Sequence, residues 1–420
     1  MIRAGAAVVD ITPPAGLAMS GFVARTEPAT GAHDPLTARA IAINDTALLV
    51  ADVIGIDAAM SARIRARCCL PDGHVMIAAS HTHGGPVSMN NRLSGHADPG
   101  YLRQLEDGCV AAIDRAVASA APARLSIGMG SDPDVARNRR HPQGITDKAL
   151  PVLRIRSEDG SMIAMLMAYA CHPVVLAADN RLWTADYPHF TRSALEGAHP
   201  GAIAVFAMGC AGDANTGHSA QASVTLAANP DRSFATAERI GHAIAQAALA
   251  APEHPLTGTI AALNQQVSLS LQRRESDLLP ELATQWRQQA IDSDPVRQSL
   301  LTCWADWADK AQGEPLAPLS ARVSALNWGG LPIIGLPGEI FASTGVTLRG
   351  HWPGGQAFVL GFADDNPGYL PPGEEYGFGG YEVEEAHRYY GMPASFAPGS
   401  AEQLAQAAIG LLDQMKRKTA

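Results

Sequence analysis

Residues 74–80 read HVMIAAS, a run of small and apolar side chains in which polar and apolar positions do not alternate. A strand with one wet face alternates with period two, so such a run belongs to a strand covered on both faces. That requires chain packed above it and below it, and the rest of the sequence supplies the layers. Strand patterns cover 38–43 and 46–54 around a turn at Asn44-Asp45, then 124–129, 152–156, 162–170 after a turn at Asp159-Gly160, and 202–208. Two more, 322–328 and 331–336, flank Gly329-Gly330. Helical spacing appears over 60–69, 233–250 and 401–415, and is clearest over 101–120, where Leu102, Leu105, Cys109, Ala112, Ile113 and Val117 form one stripe. The hairpin turns make part of the pairing antiparallel. The fold class expected is α/β: layered mixed β-sheets flanked by helices. Residues 274–312 read as two polar helices joined at Ser293-Asp294-Pro295, a helical-hairpin insertion in a single domain spanning 1–420.

At 420 residues, 47% hydrophobic and 17% charged, the chain can bury a large core, which excludes disorder. A formal charge of -10, with no basic cluster beyond Lys416-Arg417-Lys418, argues against nucleic acid or an anionic membrane surface as partner. A small molecule fits better. The six cysteines, at 68, 69, 109, 171, 210 and 303, include no CxxC pair and read as reduced thiols. The opening MIRAGAAVVDITPPAG lacks the apolar stretch of a signal peptide, and the longest apolar run is too short to span a bilayer. A cytoplasmic protein without a stable membrane anchor is expected.

The apolar run delivers AASHTHGGP. On a strand, residues two apart share a face, so His81 and His83 can aim at one point, a geometry metals favour. An HxH alone is equally compatible with two hydrogen-bonded histidines near a loop. Four further stretches place a polar group directly after an apolar strand: CHP at 171–173, MGCAGD at 208–213, LPGE at 336–339 and 361–369. Strand ends are where sites are built in layered α/β proteins. His81, His172 and Glu339 together would make a HisHisGlu zinc set with an open position. Taken singly, His172 before a proline and Glu339 in a Pro-Gly turn have ordinary structural explanations.

The order of these motifs is specific. AASHTHGGP, ARNRR at 136–140, ACHPVVL at 170–176, TADYP at 184–188, GCAGDAN at 209–215, LPGE and GYLPPGEEYGFGGYE at 368–382 resemble, in sequence order, the neutral/alkaline ceramidase family. The resemblance extends to GAAVVDITPP and HDPLTARA near the start. It implies a ceramidase catalytic-domain-like fold and a zinc amidase with one Zn2+ per chain, held by His81, His172, Glu339 and Tyr369. Tyrosine is not an ordinary zinc donor, so Tyr369 rests on the resemblance, supported by its spacing of twelve from Tyr381. His83, Arg139 and Tyr381 match residues that hold and polarise the scissile carbonyl. Zinc lowers the pKa of bound water to about 7, which provides the attacking nucleophile. Asp186 and Asp213 match family positions too and are expected to orient a histidine or an amide; Asp52 and Asp57 are expected to be structural.

Two departures bear on substrate. Where ceramidases carry a serine two residues after the aspartate of the GD loop, this chain has Asn215, which removes a serine acyl-enzyme route and leaves attack by water. Nothing resembles the family's C-terminal β-sandwich domain, and no basic amphipathic helix would dock on a lipid surface. A soluble small-molecule amide is therefore expected rather than ceramide. Esters, lactones and carbamates remain open to the same chemistry, as does a non-catalytic metal-binding homologue. An amidohydrolase barrel also begins with HxH, but the antiparallel hairpins argue against it. Trp304 and Trp307, one helical turn apart, suit a pocket lid, a contact in a homo-oligomer or packing of the insert on the body.

Overall fold

The computed structural model describes residues 1–420 other than 91, 94, 95, 274–277 and 420. The first residues assigned to the helical insert, 274–277, thus lie outside the described residues. The main sheet has nine strands: β1 Arg3–Asp10, β2 Thr37–Ile43, β3 Thr46–Ala51, β4 Val75–Ala79, β5 Ala121–Gly130, β6 Leu150–Ser157, β7 Met162–Tyr169, β8 Ile203–Met208 and β9 His254–Leu256. They lie in the order β8-β7-β6-β5-β1-β2-β3-β4, with β9 also beside β5. The pairing is mixed: β3 with β4 and β7 with β8 are parallel, and the ladders between them are antiparallel.

Every residue of β3 and β4 is buried. Their side chains still alternate, but between two cores instead of between core and water. Ala47, Leu49, Ala51, Val75, Ile77 and Ala79 face the helices; Leu48, Val50, Met76 and Ala78 face a second sheet. On the helix side lie α1 Ala58–Arg67, α2 Pro99–Ala118, α3 Tyr187–Ala198 and α4 Phe234–Leu249. The second sheet has four strands, β10 Ile260–Leu269, β11 Leu319–Trp328, β12 Leu331–Gly335 and β13 Phe358–Leu360. Between the sheets, Trp328 is fully buried and its indole Nε1 donates to Thr46 Oγ1 at 2.8 Å.

The insert is α5 Leu279–Ile291 and α6 Pro295–Ala311, which pack on each other through Leu279, Trp286, Leu301 and Ala305. A short helix α7, Ala342–Gly350, follows the LPGE segment. The C-terminal helix α8, Ser400–Thr419, covers the outer face of the second sheet with Leu404, Ala408, Leu411 and Leu412. No helix among the described residues is long and apolar enough to cross a membrane.

The main sheet curls until its edge strands β4 and β8 come into contact. The segment leaving β13 bridges both, pairing Leu360 with Gly209 and Ala363 with Ala78. The loops that leave β4, β7 and β8 therefore converge, although the strands are far apart in the ladder. Asp52, at the end of β3, is locked underneath by Arg192 of α3 in a bidentate pair of 2.7 and 2.9 Å and also accepts from Thr37. Asp57 caps α1 by accepting from the Met60 N–H. Removing one member of a buried pair strands the other charge. Arg192→Met is expected to cost about 3–5 kcal/mol in urea unfolding; a cost below about 1 kcal/mol would contradict the assigned role.

Candidate functional site

His81 does not sit on the strand. β4 ends at Ala79, and His81 has a φ of 61°, in the left-handed region. The alternation of a strand is therefore not what aims His81 and His83 together; a turn after the strand does it. The Nε2 atoms of the two rings lie 3.4 Å apart. The turn is fixed by hydrogen bonds: His81 Nδ1 donates to Ile54 O at 2.6 Å and Thr82 Oγ1 to Thr184 O at 2.7 Å. Phe362 stacks on the His81 ring at 4.0 Å. Gly21 lets the N-terminal segment pass: it has φ of 100°, and a Cβ there would stand 2.5 Å from His83 Nδ1.

His172 follows β7, and its Nδ1 donates to Ala211 O at 2.6 Å. Its Nε2 lies 2.9 Å from Glu339 Oε2, which is 3.7 Å from His81 Nε2. Glu339 reaches this point from the second sheet through Gly338, at φ of 85°, where a Cβ would meet Gly368 O at 2.6 Å. A two-residue parallel ladder sets Glu339 beside Tyr369. The other carboxylate oxygen, Oε1, accepts from the Tyr390 hydroxyl.

Arg139 closes the group. Its Nη2 donates to the Tyr369 hydroxyl at 2.9 Å and its Nε to Glu382 Oε1 at 2.8 Å. Arg140 also binds Glu382, at 2.5 Å. Tyr381 stands edge-on to Tyr369, ring centroids 5.6 Å apart. A cavity of about 40 Å3 opens among His83, Arg139, Asn215, Glu339, Tyr369 and Tyr381. All seven residues singled out in the sequence are thus brought to one place.

Asp186 and Asp213 orient amides. Asp186 accepts from the backbone N–H groups of Leu176 and Tyr187, holding the loop after His172. Asp213 accepts from Asn138 Nδ2 at 2.7 Å and from the Ala342 N–H at 2.8 Å, tying the ARNRR segment to the start of α7. Sequence reasoning missed Glu382 and Tyr390. Glu382 adjoins Tyr381 in a motif already singled out, so its acidic side chain beside an arginine-rich segment was the available signal; Tyr390 carries no comparable one.

Burial dominates the electrostatics. It pushes His81 and His172 each down to about 3, so both rings are neutral at physiological pH, and it lowers His83 as well, with His81 and His172 contributing. It raises Glu339 against the opposing pull of His81, and raises Tyr369 and Tyr381 well above the usual phenol value. Burial also opposes the charge on Arg139, but Tyr369, Glu382 and Glu339 more than compensate, so the guanidinium stays charged.

The donor set fits a divalent metal. His81 and His172 each spend Nδ1–H on a backbone carbonyl, which fixes the tautomer and turns the Nε2 lone pair inward, as metal-ligating histidines do. Among the described residues, His81, His83 and His172 hold their nitrogens within 4.8 Å of one another. His83 differs in one respect: its Nδ1 is buried with no hydrogen-bond partner among the described residues, while its Nε2 faces the lone pair of His81 Nε2 at 3.4 Å, which places the ring proton on Nε2.

Acid should weaken the metal-free fold. The unfolded chain takes up protons near 6.5 on His81, His172, His218 and His387, whereas the folded chain does so near 3 or 4, so stability is full above about 6.5 and is lost as pH falls toward those values. The raised carboxyls act in the opposite sense, Asp186 to about 7, Asp213 to about 6, and Glu339, Asp364 and Glu385 upward, but the histidines lowered by burial, which also include His83, His189 and His199, outnumber them. The thermal midpoint of metal-free protein is expected to drop between about pH 7 and about pH 5. A flat midpoint would rule out neutral buried imidazoles.

The model of the neutral/alkaline non-lysosomal ceramidase N-terminal domain matches residues 2–216. The chain belongs to the neutral/alkaline ceramidase family. The neutral ceramidase from Pseudomonas aeruginosa is similar in structure, with a TM-score of 0.75 and 20% identity, over 100% of this chain and 75% of that one. A ceramidase complexed with C2 matches equally, with a TM-score of 0.75 and 20% identity, over 98% of this chain and 75% of that one. At this identity the structural likeness carries the fold: mixed sheets with helices, as in neutral ceramidase.

Proposed function

We propose that this member of a family of amide-bond hydrolases is a zinc-dependent amidase that cleaves a small, soluble N-acyl compound rather than ceramide, using water as the nucleophile. The observation that carries the proposal is the pair of tautomer-fixed histidines converging on the Glu339 carboxylate beside a buried, charged arginine. His81, His172, Glu339 and Tyr369 would hold the ion. Bound there, zinc supplies a Lewis acid that polarises a carbonyl and makes water acidic near neutral pH.

The remaining steps fall to side chains. Arg139, anchored by Glu382, presents fixed positive charge to the cavity, where the carbonyl oxygen gains negative charge. It also favours the phenolate form of Tyr369, through the 2.9 Å bond to the hydroxyl. Tyr381 lines the same cavity with a hydroxyl that burial keeps protonated, available as a donor. His83 lines the same cavity as a neutral imidazole, which suits it to take a proton from water and pass it to the departing amine. Asn215, at the cavity wall, spends its side chain on its own loop, accepting from the Gly217 and His218 N–H groups. The six free cysteines support a reducing compartment, the cytoplasm.

Metal analysis of purified protein is expected to return one zinc per chain. Hydrolysis of a panel of N-acyl compounds should stop on chelation and return with zinc. Turnover that survives complete metal removal would end the proposal.

A further inference from the structure

Beside the small cavity at the histidines lies a second hollow of about 240 Å3, and the two share Gly21, Leu93, Ala220 and Tyr381 as common walls. Its other walls include apolar groups from outside the catalytic cluster, Val224 of the 220–224 turn and Leu300 and Trp304 of α6. Trp304 is held in place: its Nε1 donates to the Tyr389 hydroxyl at 2.9 Å, and its ring meets Trp286 edge-on at 5.4 Å. Trp307 fastens the same helix to the body by donating to Met392 O at 2.8 Å. The helical insert is therefore a fixed wall. On the far side, Val23, Cys303 and Tyr389 also border a larger cleft in which the charged Arg25, Glu27, Asp306 and Lys310 share the lining with apolar groups such as Met19, Met392 and Pro393.

We infer that this hollow receives the apolar substituent of the amide substrate and limits its length. The inference rests on the amidase proposal and adds the class of substrate. A cavity that opens onto the catalytic groups and is lined mainly by aliphatic and aromatic side chains favours an apolar group, with Arg297 and Glu385 the charged members of its wall. Water occupies about 30 Å3 in the liquid, so the hollow has room for about eight atoms of that size. A longer alkyl chain would leave the hollow for the wider cleft, where charged side chains share the walls and burial gains less per methylene. The substrates are N-acyl compounds carrying a short aliphatic or aromatic group.

The test is calorimetric titration of the zinc-loaded and the metal-free chain with butyl-, octyl- and hexadecylacetamide, alongside hydrolysis of N-acyl compounds of graded length. Affinity is expected to rise by roughly fourfold per methylene while the chain enters the hollow, then to level off near the octyl compound. Leu300→Trp fills the hollow from α6 and should weaken octyl binding by about tenfold, moving the best-cleaved substrate to shorter chains. Val224→Phe fills it from another wall and should do the same, so a folding defect in one variant leaves the other decisive. Arg287→Ala, on the outer surface of the insert, is the control that keeps the wild-type length profile. Affinity that climbs steadily to hexadecyl, or that neither filling variant alters, overturns the subsite. Length-limited binding without turnover of any amide supports the subsite and instead removes the amidase proposal.

Discussion

Glu339→Ala is expected to abolish turnover and to weaken zinc binding by more than about 100-fold, since even an outer partner of a ligand is worth 10–100-fold. Among the described residues, Glu339 is the one carboxylate that reaches both His81 Nε2 and His172 Nε2, at 3.7 and 2.9 Å, and all three side chains are essentially closed to solvent. A divalent cation placed between two neutral imidazoles in such a site has no anion to offset its charge unless this carboxylate supplies it. The metal-free protein should respond differently. There the carboxyl group is a burden that burial drives toward its protonated form, with Tyr390 and His172 as its hydrogen-bond partners, so the alanine variant should unfold at a similar temperature or somewhat higher. Chelator competition and thermal unfolding, measured on the same samples, separate loss of a ligand from loss of the fold. Undiminished turnover in Glu339→Ala would refute the ligand assignment.

The second large effect belongs to Arg139. Arg139→Ala should lower kcat by about 10²–10³, the usual cost of removing a fixed donor from a site of developing negative charge. KM should move little, because the group acts on the reacting oxygen and not on the substituent. Arg139→Lys restores a charge but not the fork that reaches Tyr369 and Glu382 from two different nitrogens, and should recover only part of the rate. Zinc affinity should also fall, since Arg139 is the group that pulls the Tyr369 hydroxyl toward ionisation. Glu382 keeps Arg140 as partner in either variant, so the fold should survive. An alanine variant within about threefold of wild type would leave Arg139 as a structural residue only.

Much of the architecture was legible because burial writes itself into composition. A strand covered on both sides loses its alternation, and 74–80 shows this; the stripe on 101–120 likewise names the face that α2 buries, with Leu105, Cys109, Ala112 and Ile113 all inaccessible. The strand β10 was not foreseen because IAALNQQVSL is polar in its middle, where the strand is half-covered or exposed. Helix α3 went unread because its first residues fall inside the TADYP motif, where a chemical reading competed with the local one. The convergence of the site residues was read from motif order, yet the reason offered for His81 and His83 was incomplete, since a left-handed turn aims them. Glu382 and Tyr390 act through partners 243 and 51 positions away, a relation that only the folded chain displays.

The curled sheet has a thermodynamic consequence. His81 and His172 hang from one sheet, while Glu339 and Tyr369 hang from the other, so an ion held by all four would act as a rivet across the seam between two separately hydrophobic halves. Linkage is reciprocal: whatever tightness the rivet lends to the seam, the seam must lend back as grip on the ion. Substitutions deep between the sheets, at Trp328 for instance, would then be felt first as leakage of zinc, well before the protein loses its shape.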